Sequence, residues 1–135
     1  MLTKILYHSL RFRSKKVRFA RRLIKLDLAD NFAEQIVGLM YRKKMGENEG
    51  MLFRFGSSGF QRIWMLNMNF AIDVVWADEA GKVVDIAKNL QPCNGMFGCE
   101  AYGPKARAKY VLELKSGMSA RLGIKVGSSI GGLIW

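Results

Sequence analysis

The sequence predicts a small, mainly β (α+β) domain, a barrel or rolled sheet with one packed helix. Three observations point there. The stretch from Gln61 to Asp78 is the longest apolar segment and is rich in aromatic and β-branched residues, the types that fit a pleated surface. Glycine-bearing polar breaks recur at 46–50, 56–59, 78–81 and 89–103, cutting the chain into strand-length pieces. Only one window, near 31–42, has strong helical spacing.

In the central stretch, Trp64, Leu66 and Met68 alternate with Ile63, Met65 and Asn67. A strand would send these sets to opposite faces, both largely apolar, as in a sheet covered on two sides. Asn67 and Asn69 mark a turn, Val74 to Ala77 resume the strand, and Asp78-Glu79-Ala80-Gly81 reads as a hairpin leading to a return strand over Val83–Ala87.

Upstream, Leu23–Leu28 alternates as a strand. Asn31-Phe-Ala-Glu34 has capping-box spacing, and Phe32, Ile36, Leu39 and Met40 follow at helical intervals, so a helix is expected over 31–42 with Gly38 inside it. Gly38 costs about 1 kcal/mol of helix propensity, which a close helix–sheet approach would explain. Met51–Phe55 is a strand. Downstream, Asn89–Gly103 is a long Gly-rich loop, Tyr110–Leu114 a strand, and 116–122 a short helix ended by Gly123. Lys125–Ile130 reads as a last short strand.

With 135 residues, half of them apolar, the chain suits one domain with a real core. We divide it into a basic arm or edge strand at 1–22 and a compact unit at 23–135. No apolar run approaches the roughly 18 residues of a membrane helix. The net charge is +11, and nine of the 22 bases but none of the 11 acids lie within residues 1–25. The arm has three readings: an edge strand protected by its charges, a targeting segment, or a contact for nucleic acid or another anionic surface through Arg11, Arg13, Lys15, Lys16, Arg18, Arg21 and Arg22. No apolar region follows the charges as in a secretory signal, so a cytoplasmic protein is expected, monomeric or weakly oligomeric.

Five residues separate Cys93 from Cys99, and His8 is the only histidine. This spacing fits neither a redox pair nor a zinc knuckle. No metal or cofactor is expected, and two free thiols are favoured over a disulfide.

The order of motifs then becomes informative. Gly38-Leu-Met-Tyr-Arg42, Gly50-Met-Leu-Phe53, Trp64-Met-x-Asn67-Met, Ile72-Asp73-Val-Val, Gly81-Lys-Val-Val84, Tyr110-Val-Leu-Glu-Leu114 and Gly117 together resemble the uncharacterised family called domain of unknown function 192, from about Leu28 to Gly127. The resemblance implies a compact β fold with a helix near its start and no established activity. Asn89-Leu-Gln-Pro92 is similar to members without a signal peptide. Ala71 and Gly127-Ser128 depart from the family pattern of Pro and Gly-Asp.

A non-catalytic binding or interaction module is therefore expected, with contacts at Arg62, Trp64, Asn67, Asp73, Cys99 and Tyr102, in and around the 89–107 loop. Asp73, flanked by Ile72 and Val74, must be paired or hydrogen-bonded if buried. Arg42 or Arg62 could pair with it, or backbone N–H groups at the nearby corner could satisfy it. Trp64, Met65, Met68, Met40 and Met51 suit a core or an apolar pocket. Association through the basic arm is the alternative. A small enzyme using Asp73 or Cys99 is the third reading; it would need a base beside the thiol.

Overall fold

The computed structural model describes residues 2–93, 95 and 98–135. Asn94, Met96 and Phe97 of the late loop lie outside the described residues. In chain order the elements are α1 (Leu2–Ser9), β1 (Arg13–Phe19), β2 (Arg22–Ala29), α2 (Phe32–Val37), β3 (Glu49–Gly59), β4 (Ile63–Trp64), β5 (Ile72–Ala77), β6 (Val83–Leu90), β7 (Ala101–Tyr102), β8 (Ala108–Lys115), α3 (Met118–Arg121) and α4 (Gly131–Ile134). Six strands form one mixed sheet in the order β1-β2-β3-β8-β5-β6, and β4 pairs with β7 in a separate two-stranded ribbon. β1 and β6 stand at opposite ends, so the large sheet is open rather than a closed barrel.

Every residue of β5 is buried, as is most of β8. Both run through the middle of the sheet, and opposed residues share a face. One face carries the rows Met51–Glu113–Val74 and Phe53–Val111–Trp76; the other carries Leu52–Leu112–Val75. Each face has its own core. The first is covered by Leu39, Met45, Met65 and Met68, the second by Met118, Leu122, Ile124, Ile130, Leu133 and Ile134. The Lys125–Ile130 segment is not a strand. It turns, and the backbone N–H groups of Val83 and Ile130 donate to the carbonyls of Ser128 and Gly81. Thus it closes the second core beside β6, and α4 packs toward β1, where Lys15 Nζ donates to the Ile134 carbonyl at 2.7 Å.

Asn31 accepts from the Glu34 amide and Glu34 reaches back, completing the expected capping box. The helix is shorter than the sequence predicts: it stops at Gly38, whose φ is +48°. A Cβ there would stand 3.0 Å from the Phe53 ring, so the close helix–sheet approach is real but ends the helix instead of sitting within it. β2, α2 and β3 form a crossover unit with β2 and β3 parallel. Gln35 Nε2 pins α2 to the sheet by donating to the carbonyls of Ala29 and Arg54 at 3.1 and 3.0 Å. Arg54 grips Asp30 with two bonds of 2.6 Å; these bonds hold the Asp30 carboxyl below its usual range, against a smaller opposing effect of burial.

Three further expectations need correction. The first half of the central stretch is strand only at Ile63–Trp64, because Asn67 takes a left-handed conformation (φ +60°) and breaks the extension. The basic N-terminal segment opens with α1, which lays Tyr7 against Tyr41 and which no helical stripe announced, before it runs as the edge strand β1. Cys93 and Cys99 are joined as a disulfide rather than free.

Asp73 has neither arginine as a partner. It lies on the face covered by α3 and accepts from the amides of Gly117, Ser119 and Asn89 and from the Ser119 hydroxyl, at 3.1, 3.0, 3.0 and 2.7 Å. A carboxylate on β5 thus ties together the start of α3 and the end of β6. Asp73→Ala should leave these donors unmatched and cost about 3 kcal/mol, read as a lowered urea midpoint with unchanged slope.

Candidate functional site: an apolar cavity with a buried carboxyl

On the first face of the sheet α2 does not lie flush. It leaves a cavity of about 480 Å³, of the size of small-molecule sites, bordered by α2, the 38–40 turn, β3, β4 and β8. Its walls are Ile36, Val37, Leu39, Met40, Phe53 and Met68. The mouth carries two aromatic side chains in water, Phe32 at 78% exposure and Trp64 at 47%, beside the exposed Arg62. The strip bearing Arg62 and Trp64 has three supports. The Trp76 indole N–H donates to the Gln61 carbonyl at 2.7 Å, β4 pairs with β7, and the Cys93 amide donates to the Met65 carbonyl at 3.0 Å.

One acid reaches this apolar space. Glu113 lies in the middle of β8, between Met51 and Val74 in the neighbouring strands, and is only 5% exposed. Its carboxyl has no hydrogen-bond or ion-pair partner among the described residues, yet it lines the cavity. Burial pushes its pKa up to about 8, with Arg42 pulling weakly the other way. Arg42 is committed elsewhere, to Asp27 at 2.7 Å and over the Phe12 ring. Near neutral pH Glu113 is thus mostly a carboxylic acid, able to donate one hydrogen bond and accept others.

The model of the DUF192 family, described as "Uncharacterized ACR", matches residues 14–132. This chain belongs to the DUF192 family. A curated relative, the UPF0127 protein of Pyrococcus abyssi (strain GE5 / Orsay), is 31% identical over 106 residues, which span 78% of this chain and 84% of that protein. Two crystal structures share the fold. One, from Sinorhizobium meliloti 1021 and provisionally described as a transcription regulator, has a TM-score of 0.77 at 27% identity and covers 88% of this chain and 93% of its own. The other, a protein of unknown function from Novosphingobium aromaticivorans, has a TM-score of 0.72 at 30% identity and covers 84% of this chain and 79% of its own. Among the described residues of this DUF192 chain, no helix is long and apolar enough to cross a membrane.

Of the six residues singled out for binding, the DUF192 fold brings Arg62 and Trp64 to the cavity. Asn67 lies behind its wall, donating to Tyr41 Oη at 2.9 Å. Asp73 faces the opposite core. Tyr102 pairs with Ile63 across the ribbon, and burial first, then Glu100, raises its pKa. Cys99 is held in the disulfide. The residues missed were Glu113, Phe32, Gln35 and Phe55. Glu113 was open to detection: a lone acid in Tyr110–Leu114, apolar on both strand faces, must be buried if that strand is central.

Among the arm's bases, Arg11 caps α1 through the carbonyls of His8 and Leu10 and borders a smaller hollow with Lys25 and Arg42. Arg13 pairs with Asp30, Lys15 is tied to Ile134, and Arg22 meets Asn48 and Glu47. Lys16, Arg18 and Arg21 are exposed and make no ion pair among the described residues.

The raised pKa of Glu113 carries a definite sign. The folded state keeps a proton that the unfolded chain, at the ordinary glutamate value of 4.5, has released. Stability is therefore greatest below the unfolded pKa and falls as pH climbs toward about 8, with a limiting slope of about 1.4 kcal/mol per pH unit. Urea midpoints measured from about pH 5 to pH 8 should decline in the native sequence and lose most of that decline in Glu113→Gln.

Proposed function

We propose that this protein is a non-catalytic module that binds a small, largely apolar molecule in the cavity under α2. The observation that carries the reading is Glu113: an acid deep in an apolar recess with no described partner. No buried side-chain polar atom among the described residues is left without a partner, so the Glu113 carboxyl, which makes no hydrogen bond there, opens onto the recess, where a ligand can meet it. The exposed Phe32 and Trp64 are the aromatic contacts such a site places at its mouth. N-phenylnaphthylamine, whose fluorescence rises in apolar surroundings, should bind in a saturable way. Trp64→Ala should weaken binding about tenfold while changing stability by under about 1 kcal/mol, because the side chain is half exposed. Unchanged dye affinity in that variant would place the dye outside this cavity.

A second reading concerns the β1–β2 hairpin. Lys16 stands directly opposite Lys25, with Arg18 further along the same face of β1. Like charges opposed across strands are unfavourable, and a bound phosphate would relieve them. This supports association with nucleic acid or another anionic surface through Lys16, Arg18 and Arg21. Affinity for a random-sequence DNA duplex should then fall steeply with salt, and replacing the three bases by Gln should lower the salt slope by about three. Affinity independent of salt would exclude this mode.

A further inference from the structure

We infer that the cavity is built for an organic amine: an ammonium group seated on the Glu113 carboxylate with an apolar body lying between α2 and β4. The inference rests on the binding reading above and adds the ligand's chemistry.

The polar inventory of the recess argues for it. Among the side chains that border the cavity, only Glu113, Gln35, Trp64 and Arg62 have hydrogen-bonding nitrogen or oxygen atoms. Gln35 spends its N–H groups on the carbonyls of Ala29 and Arg54, so its Oε1 is an acceptor with no donor among the described residues. The Arg62 and Trp64 donors sit on exposed rim residues. The polar atoms away from the rim are thus acceptors, apart from the one proton that Glu113 itself holds, and acceptors suit a ligand rich in N–H donors. The walls agree. Phe53 and Phe55 stack at 6.4 Å, Trp64 stands at the mouth, and aromatic faces attract cations. Met40 and Met68 supply polarizable sulfur. A ligand carboxylate would instead meet Glu113 as a like charge or a second acid.

The charged neighbours leave room for such a partner. Arg42, the only base shown to influence Glu113, is neutralised by Asp27. Arg62 is the one charged residue on the rim and is free to stay in water on its flexible stem. Ammonium binding would shift Glu113 from acid to carboxylate and release its proton to solvent. The ion pair is then gained only by a ligand that brings its own positive charge, which sets amines apart from apolar molecules of the same shape.

The test compares phenethylamine with its uncharged counterpart, phenethyl alcohol, by calorimetry in buffers of different ionisation enthalpy. The amine should bind the native chain more tightly than the alcohol and release about one proton per molecule near pH 7. Its affinity should rise about tenfold per pH unit up to the Glu113 pKa, and Glu113→Gln should weaken it about tenfold or more. The proton count needs no variant and stands even if Glu113→Gln misfolds. Binding of the alcohol as tightly as the amine, with affinity falling as pH rises toward 8, would overturn the amine inference and leave the cavity as a site for neutral ligands. Failure of both compounds to bind at millimolar concentration would sink the binding reading along with it.

Discussion

Double coverage of the sheet is the constraint on which the rest of the structure depends. β5 and β8 run side by side with packed side chains above and below, so the acids in the middle of these strands are cut off from bulk water. Each carries one acid, and the acids point to opposite faces. Asp73 meets four donors gathered from α3 and the end of β6. Glu113 meets none among the described residues. Burial in apolar surroundings is common to both; what separates them is the element lying over each face. α3 brings its first amides down onto Asp73. α2 stops at Gly38, and no backbone from it descends to Glu113.

The same contrast separates scaffold from site. A carboxylate that gathers donors from three segments locks them in place, and its role ends there. An acid kept protonated by burial, with no partner among the described residues, ties no segment to another. The shallow seat of α2 follows from its anchors. The capping box sets its start, the Gln35 amide joins the end of β2 to the middle of β3, and the positive φ of Gly38, close against Phe53, ends it. Held at those points, the helix covers the rim of the sheet but not its centre.

Much of this architecture was legible in the residues. Asn31 and Glu34 announced the helix start because capping is local chemistry. The alternation in Leu23–Leu28, the short apolar run Tyr110–Leu114 and the turn at Asp78–Gly81 marked strands and a hairpin for the same reason. What escaped was non-local. Ile63–Met68 alternates like a strand, yet it serves as a strip over the cavity, since Asn67 turns the chain to meet Tyr41. Asp73 was rightly seen as an acid needing partners, but its donors come from residues far along the chain. Glu113 passed as an ordinary strand residue because its significance depends on strands pairing on both sides of β8. Phe32 resembles a core residue at helical spacing and instead faces solvent.

The way α2 is attached bears on how relatives of this protein could diverge. Its fastenings, Asn31, Glu34, Gln35 and Gly38, are separate from Ile36, which lines the recess, and from Phe32, which stands in water at its mouth. Exchange at those two positions would remodel the chamber without loosening the roof. The lining of the recess can therefore drift from lineage to lineage while the frame beneath stays the same.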